Sequence, residues 1–210
     1  MSSPYVLWGA PRSRSTRLAW ILEELDVEWT WNPISFRNGE HRAAAFLAMN
    51  PAGKVPVLQH GELVLSESTA IARYLAARHP DTGLLPPEGT SAGAIVDRWL
   101  SFVTTELEQA LWTKAKHTFA LPAKLRVEAV RGTAEAEFKR AAAVAHTMFG
   151  TGPYAAGDTF TLADVFLAHT CSWSRSGKLW DRLSPELQEY ARAQLARPAY
   201  QRAVEIESGP

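Results

Sequence analysis

The hydrophobic positions of the first 80 residues change their spacing several times, which predicts alternating strands and helices. Residues 5–8 form a short β-prone run that ends at Gly9. Four apolar residues then recur at the i, i+3, i+4 and i+7 positions of an amphipathic helix, namely Leu18, Ile21, Leu22 and Leu25. A second strand is predicted over residues 27–34, and a short helix over residues 42–48.

The next part of the chain predicts a hairpin and a further helix. Residues 55–58 and 63–65 are β-prone and flank His60-Gly61, a turn signal between two strands. Helical spacing resumes over residues 66–78. The resulting order, βαβα-ββα, has one crossover and one hairpin. It predicts an α/β fold in which helices pack on a mixed sheet.

The remainder of the chain shows only helical spacing and is expected to form an all-α domain. A proline- and glycine-rich stretch without periodicity separates it from the first part. Four helices are predicted after this stretch, around residues 99–111, 138–149 and 162–169 and from Ser184 onward. We therefore expect a first domain at residues 1–80, a linker at 81–89 and an all-helical domain at 90–210.

The composition is that of an ordinary globular protein without a strong overall charge. Hydrophobic residues make up 46% and charged residues 21% of the 210 positions, while Lys plus Arg and Asp plus Glu both number 22. No net field attracts a nucleic acid or an anionic membrane surface, so we expect neither as a partner. The start of the chain lacks a signal-peptide pattern, and no stretch approaches the roughly 20 apolar residues of a membrane span. A cytoplasmic location is therefore expected.

Cysteine and histidine usage argues against disulfides and bound metals. The only cysteine is Cys171, which excludes an intrachain disulfide and a cysteine-based zinc cluster. The six histidines are scattered without ligand spacing, so no metal site is expected. His169 follows an apolar stripe and is predicted to be a packed histidine.

Two serines follow the first predicted strand, at the start of the first helix. Ser13 and Ser15 lie where unpaired backbone N–H groups and the positive end of the helix dipole converge, a place that favours an anion. Helix capping explains the same residues, because serine is a preferred N-cap. The motif alone leaves both interpretations open.

A proline opens the third predicted strand. Pro56 cannot donate a hydrogen bond to the sheet, and it suits a turn with a cis bond. In that geometry the N–H and C=O of Val55 face outward, where they can pair with an extended peptide, and Lys54 can meet a carboxylate. The alternative is a plain loop that enters an edge strand, with Lys54 in solvent.

The following predicted helix begins with a carboxylate and a hydroxyl, Glu67 and Ser68, beside free backbone N–H groups. Hydroxyls and amides suit a ligand carboxylate, whereas Glu67 suits an ammonium group, so an α-amino-acid head group fits both. An ordinary helix cap is the alternative. Together the three motifs offer an anion site for a thiolate, a backbone edge for a peptide and a pocket for an amino-acid end. Glutathione combines these features in one molecule.

The same motifs resemble those of a known family. Residues 10–25 look like the first-helix segment of bacterial and plant cytosolic glutathione transferases, and residues 39–58 and 66–75 are similar to the phi class and its bacterial relatives. Thr161-Leu-Ala-Asp164 resembles the capping box of that family's core helix. The resemblance implies a thioredoxin-like first domain and an all-helical second domain. It also implies a transferase that uses glutathione as co-substrate without a permanently bound cofactor.

The resemblance further implies a role for each matching residue. Ser13 would donate a hydrogen bond to the glutathione sulfur, with Ser15 as the alternative. The other positions would hold the rest of the tripeptide: His41 and Lys54 the glycyl carboxylate, Val55 and cis Pro56 the cysteinyl backbone, and Glu67 and Ser68 the γ-glutamyl head. A cytoplasmic homodimer with a role in detoxification is also implied.

The all-helical domain is expected to supply the site for a small apolar electrophile. The candidate lining residues are Trp112, His117 and Phe119, with Trp8 from the first domain. Most of the eight tryptophans are nonetheless expected in the core. His117 is a candidate proton donor, although a lone histidine is more often structural. Lys114 and Lys116 are expected in solvent, with contact to an anionic substrate tail as the alternative.

Two other functions fit the same sequence. One is a non-catalytic relative that acts as a binding or scaffold protein, and the other is a glutathione-dependent peroxidase, isomerase or dehalogenase. The chain keeps Ser13 and the Glu67-Ser68 pair, which non-catalytic relatives commonly lose, and this favours an enzyme. The electrophile is not predicted, because its pocket is assembled from distant helical residues.

Overall fold

A four-stranded mixed sheet lies at the centre of the first part of the chain. The computed structural model describes residues 4–209, and its strands are β1 (Tyr5–Gly9), β2 (Trp29–Pro33), β3 (Val57–His60) and β4 (Leu63–Ser66). Their order across the sheet is β2-β1-β3-β4, with β1 parallel to β2 and antiparallel to β3, and with β3 antiparallel to β4. The predicted crossover, hairpin and mixed sheet are confirmed.

Three helices cover the two faces of this sheet. They are α1 (Ser15–Glu24), α2 (Ala44–Met49) and α3 (Ser68–Arg78), with single 3₁₀ turns at Glu40–Arg42 and Pro80–Thr82. Leu7 and Leu58 are paired across β1 and β3 and are fully buried on the face that carries α1 and α3. Trp8 and Val57, one residue along each strand, point to the other face and pack with Phe46 of α2.

The second part of the chain is entirely helical, as predicted. Its helices are α4 (Ser91–Phe102), α5 (Glu108–Ala115), α6 (Glu128–Phe149), α7 (Leu162–Ser176) and α8 (Pro185–Leu195), with 3₁₀ turns at Ala123–Leu125 and Trp180–Arg182. The four helical regions predicted from the sequence are all present. No helix within residues 4–209 is long and apolar enough to span a membrane.

One predicted helix is interrupted by wider turns. The spacing over residues 99–111 predicts a single α-helix, whereas π-helical turns at Val103–Leu107 and Lys116–Ala120 follow α4 and α5. Thr104 and Thr105 donate their hydroxyls to backbone carbonyl oxygens one turn earlier, over 2.8 and 2.9 Å. Such side-chain bonds compete with the regular backbone ladder, so the helix continues with an altered pitch.

The capping box predicted at the start of α7 is confirmed. Thr161 and Asp164 each tie a backbone N–H of the first turn with their side chains. Asp164 is fully buried and also accepts hydrogen bonds from the Ala155 N–H over 2.7 Å and the Tyr190 hydroxyl over 2.6 Å. One carboxylate thereby joins α7, α8 and the preceding loop.

The last helix, α9 (Pro198–Ser208), is absent from the sequence prediction and belongs with the first part of the chain. It packs on α1, where the rings of Trp20 and Tyr200 lie 5.0 Å apart and Arg197 contacts Glu24 over 2.6 Å. The chain therefore divides into one compact unit that runs up to Leu85 and resumes at Ala196, and a second unit over Pro86–Leu195. The expected all-helical domain at 90–210 ends too late, because the final helix buries its inner face on α1.

Candidate functional site

Three predicted motifs meet at one edge of the sheet. Val57, the first residue of β3, pairs with Trp8 near the end of β1 and with Ser66 at the end of β4. The segments that follow β1, precede β3 and follow β4 therefore lie next to one another. They carry the candidate serines, the Val55-Pro56 bond and the Glu67-Ser68 pair.

The serine-containing turn between β1 and α1 has an unusual backbone. Arg12 has a φ of 59°, a left-handed conformation that residues other than glycine rarely adopt. Ser13 follows it and is half-buried. Its Oγ donates to the Ala10 carbonyl oxygen over 2.7 Å and accepts from the Ser15 N–H over 3.1 Å. The Ser13 hydroxyl thus lies at the N-terminus of α1, where the helix dipole favours negative charge.

The other candidate, Ser15, lies in the interior. It is fully buried, and its Oγ accepts a hydrogen bond from the Ala10 N–H over 3.3 Å and is 3.0 Å from Ser13 Oγ. Gly9 makes room for it, since a Cβ atom on Gly9 would lie 2.5 Å from the Ser15 Cβ. Ser13 is therefore the more accessible of the two serines.

The turn before β3 ends in a cis peptide between Val55 and Pro56, as expected. Asn50 is buried and closes this turn with both ends of its amide: Nδ2 donates to the Lys54 carbonyl oxygen over 2.7 Å, and Oδ1 accepts from the Ala52 N–H over 3.1 Å. This role of Asn50 is not predicted from the sequence, although asparagine commonly bonds its own backbone two residues on. The Asn50 side chain therefore fixes the backbone that leads to Val55.

The start of α3 also combines a left-handed residue with a helix N-terminus. Glu67 has a φ of 69° and is exposed, and Ser68 is the buried first residue of α3. No side chain in the described part of the protein caps this helix end. Its first N–H groups are therefore available to a ligand, and strained residues of this kind cluster at functional sites.

His41 lies in the 3₁₀ turn before α2. Its ring contacts that of Phe36, with centroids 4.9 Å apart, and its Nε2 accepts from Arg42 Nε over 3.2 Å. Among residues 4–209, its buried Nδ1 has no hydrogen-bond partner. The His41 carbonyl oxygen would lie 3.0 Å from a Cβ atom on Gly53. His41 is therefore adjacent to the turn that carries Lys54, whose side chain is exposed.

The remaining candidates lie in the helical unit. Trp112 and Trp173 are half-buried, with ring centroids 6.5 Å apart. His117 Nδ1 accepts a hydrogen bond from the Val127 N–H over 3.0 Å. This bond connects the π-helical turn after α5 to the residue before α6. Phe119 is 67% exposed, an unusual state for a phenylalanine.

Two further side chains named in the sequence make specific contacts in the structure. Lys114 was expected in solvent, but its Nζ donates to the Gly177 carbonyl oxygen over 2.7 Å and pairs with Glu135 over 2.8 Å, because α5 packs against α6. Trp8, a candidate for an apolar pocket, is partly buried against the cluster around Phe46, because its side chain alternates with that of Leu7 on a strand covered on both faces.

Buried titratable groups in the helical unit have no evident chemical role. Burial raises the pKa of the Cys171 thiol to about 12, so this thiol is not a nucleophile at neutral pH. His169 is only 7% exposed, which confirms the predicted packed histidine. Within residues 4–209, no three His, Cys, Asp or Glu side chains are grouped to hold a metal ion.

Comparisons with known proteins match both the first unit and the whole chain. The family of glutathione S-transferase N-terminal domains matches residues 3–77. Glutathione S-transferase 3 of Zea mays is 31% identical over 216 residues, which cover 96% of this chain and 94% of the maize protein. The chain belongs to the glutathione S-transferase family.

Solved glutathione transferases share the architecture of this family member. A glutathione transferase from Methylococcus capsulatus str. Bath is 29% identical, with a TM-score of 0.84 over 97% of this chain and 98% of the other. A theta-class glutathione S-transferase from Xanthomonas axonopodis pv. citri, solved with glutathione bound, is 30% identical, with a TM-score of 0.80 over 97% and 98% of the two chains. The predicted thioredoxin-like and helical parts of this glutathione S-transferase are confirmed.

Proposed function

We propose that this glutathione S-transferase binds glutathione along the sheet edge formed by the three motifs and adds its sulfur, as a thiolate, to a small apolar electrophile. The observation that carries the proposal is the half-buried Ser13 hydroxyl at the N-terminus of α1. The segments next to it supply the cis Val55–Pro56 turn and the start of α3. The glutathione bound to the related theta-class protein supports the choice of ligand.

A serine hydroxyl at a helix N-terminus favours the ionised form of a bound thiol. A free thiol has a pKa of about 8.5, so only a few per cent is thiolate at neutral pH. In the proposed complex the Ser13 hydroxyl turns from the Ala10 carbonyl oxygen to the sulfur and donates a hydrogen bond to it. The N-terminal end of the α1 dipole adds to this stabilisation.

The proposed reaction needs no redox partner. The thiol proton leaves to solvent, and the sulfur lone pair forms the new bond to an electrophilic carbon. A leaving group departs with its bonding electrons, or, where no group leaves, the product takes a proton from solvent. The protein contributes by raising the fraction of bound glutathione that is present as the reactive thiolate.

The three motifs offer a complementary group to the backbone, the ammonium group and the two carboxylates of glutathione. In this proposal the N–H and C=O of Val55 pair with the cysteinyl backbone as an added strand. Glu67 faces the γ-glutamyl ammonium group, while Ser68 and the N–H groups of α3 hold the adjacent carboxylate. His41 and Lys54 supply the polar groups for the glycyl carboxylate.

The electrophile is proposed to bind against aromatic side chains of the helical unit. The exposed Phe119 and the half-buried Trp112 are the side chains that support this proposal. Trp8 is left out of this proposal, because its side chain packs against the cluster that contains Phe46. We further propose that the protein acts as a cytoplasmic homodimer, as the family resemblance implies.

Paired serine substitutions test the thiolate mechanism. A hydrogen bond to a charged group contributes about 1.5–3 kcal/mol, so S13A should lower kcat by about tenfold to a hundredfold with little change in KM for glutathione. S15A is the matched control, because it removes the same atom from a buried site two residues away. It should lower the free energy of unfolding by about 1 kcal/mol, since the Ala10 N–H loses an acceptor.

The two variants are compared by steady-state conjugation of a haloaromatic or enone electrophile. The ultraviolet absorbance of the thiolate gives the pKa of bound glutathione. A wild-type turnover retained by S13A, with an unchanged thiol pKa, would contradict the role of Ser13. Failure of the wild-type protein to bind glutathione would contradict the proposed function itself.

A further inference from the structure

A buried carboxyl group contacts both sides of the serine-containing turn. Glu207 of α9 is 6% exposed, and its Oε2 accepts a hydrogen bond from the Thr16 hydroxyl over 2.7 Å. The Arg12 backbone N–H faces the same carboxyl and stabilises its charge, although the buried Oε1 has no hydrogen bond of normal geometry among residues 4–209. Glu207 therefore touches the residue before Ser13 and a residue shortly after it.

Backbone hydrogen bonds connect Thr16 and its neighbour Ser15 to Ser13. The Thr16 N–H donates to the Ser13 carbonyl oxygen over 3.2 Å, and the Ser15 N–H donates to the Ser13 Oγ over 3.1 Å. Arg12, on the other side, has a left-handed φ that costs about 1 kcal/mol and must be held by its surroundings. A group that contacts Arg12 and Thr16 together can fix the backbone that aims the Ser13 hydroxyl.

Other contacts attach α9 to α1 without Glu207. Glu23 and Glu24 near the far end of α1 pair with Arg202 and Arg197, each over 2.6 Å. The ring contact between Trp20 and Tyr200 lies in the same interface. Docking of the helix is therefore provided by groups remote from the turn, and Glu207 is not needed for that purpose alone.

The surroundings of Glu207 contain few groups that could neutralise its charge. The elements packed against α9 are α1 and β2, and β2 carries no charged residue. Besides the two paired glutamates, α1 contributes the buried Arg17, the turn contributes Arg12, and α9 itself carries the exposed Glu205. Burial raises the pKa of Glu207 from its ordinary 4.5 to about 7, although the Thr16 hydroxyl and the Arg12 N–H lower it. A buried carboxyl with a raised pKa is a cost to the fold that a positioning role explains.

We infer that Glu207 is a positioning residue for the proposed reaction: through Thr16 and Arg12 it holds the turn in which Ser13 faces the glutathione sulfur. This inference rests on the proposed function of Ser13. Helix α9 would then support the reaction in the first unit, and the Thr16 hydroxyl would connect Glu207 to the turn that carries Ser13. Glu207 itself touches neither substrate.

A double-mutant cycle on the full-length protein tests the inference. The variants are E207A, T16V, which keeps the volume of the threonine but removes its hydroxyl, and the double variant. E205Q is the matched control, because it removes one carboxylate from the exposed face of the same helix. Each variant is measured for kcat and KM as a function of pH and for the pKa of the bound glutathione thiol.

E207A and T16V should each raise the pKa of the bound thiol by about one unit and lower kcat at neutral pH by about tenfold. The double variant should lose little more than E207A does, because E207A already removes the contact that T16V removes. The loss in kcat should shrink at a pH above the raised thiol pKa, which general damage to the fold would not produce. E205Q should behave as the wild type does.

An unchanged thiol pKa and kcat in T16V, in a protein that binds and conjugates glutathione, would overturn the inference and leave the proposed function intact. Additive losses in the double variant would overturn it as well. If E207A does not fold, T16V alone decides, since it removes the same hydrogen bond from the other side. A wild-type protein that does not bind glutathione would instead contradict the proposed function.

Discussion

Glu207 couples the stability of the protein to pH. Its carboxyl is almost completely buried, and its pKa is raised to about 7 because burial disfavours the charged form. The native protein therefore binds this proton more tightly than the unfolded chain does. The stability that results is fully present below pH 4.5, the ordinary value, and is lost as the pH rises through about 7.

The substitution E207Q should make the protein less sensitive to this change in pH. Because the neutral amide carries no charge, the free energy of unfolding of E207Q relative to the wild type should rise between pH 5 and pH 8, by at most about 3 kcal/mol. Urea denaturation of both proteins at several pH values measures the difference. The exposed E205Q is the control and should show no such trend. A relative stability of E207Q that stays constant or falls with pH would contradict the raised pKa.

Ser13 and Ser15 illustrate what a residue pattern leaves undecided. Both serines precede or begin α1, and the sequence alone allows either to contact a ligand sulfur. The structure separates them, because Gly9 lets Ser15 pack inside while Ser13 remains half-buried at the helix N-terminus. The distinction depends on a close approach between β1 and α1 that spacing does not reveal.

At the scale of elements, strong local patterns predicted structure well and weak ones did not. The stripe from Leu18 to Leu25 and the hairpin around Gly61 were predicted because their signals lie within a few residues. Helix α9 was missed, since its buried positions are Ala199, Ala203 and Glu207, two small residues and a carboxyl. Their burial depends on contact with α1, almost two hundred residues earlier.

Loss of the capping box of α7 should lower the stability of the protein. D164A would leave the Ala155 N–H, the Thr161 N–H and the Tyr190 hydroxyl without their buried acceptor. Since each buried unsatisfied group costs about 1–3 kcal/mol, the free energy of unfolding should fall by about 3 kcal/mol or more. Urea or thermal denaturation followed by circular dichroism measures this loss.

The exposed Asp158, in the same loop, provides the control for that experiment. D158A removes an equal charge without a buried partner, so it should change the free energy of unfolding by less than about 0.5 kcal/mol. Equal effects of D164A and D158A would contradict the structural role of the capping box. Activity should fall in D164A only in proportion to the fraction of unfolded protein.

At the scale of the whole molecule, the candidate glutathione site was predictable and the electrophile site was not. Each glutathione motif is a run of a few residues at the end of a strand, and the sheet order brings the three runs together. The proposed electrophile site depends on side chains such as Trp112 and Phe119, whose surroundings are set by contacts between distant helices. Trp8 packs near Phe46, and Lys114 pairs with Glu135. In both cases a tertiary contact, which the neighbouring sequence does not show, sets the environment of the side chain.

The path of the chain was predicted only in part for the same reason. A break near residue 80 is visible as a loss of periodicity, and the structure places the division between Leu85 and Pro86. The return of the chain to the first unit after Leu195 has no comparable signal. It brings Glu207 into contact with the turn around Ser13, through the hydrogen bond from Thr16.

A crystal structure with glutathione bound tests the central claim most directly. The sulfur should lie within about 3.5 Å of Ser13 Oγ, as a hydrogen bond to sulfur requires, with the cysteinyl backbone paired to Val55 and the γ-glutamyl group at the start of α3. A sulfur atom remote from both Ser13 and Ser15, with the tripeptide bound elsewhere, would contradict the proposed chemistry.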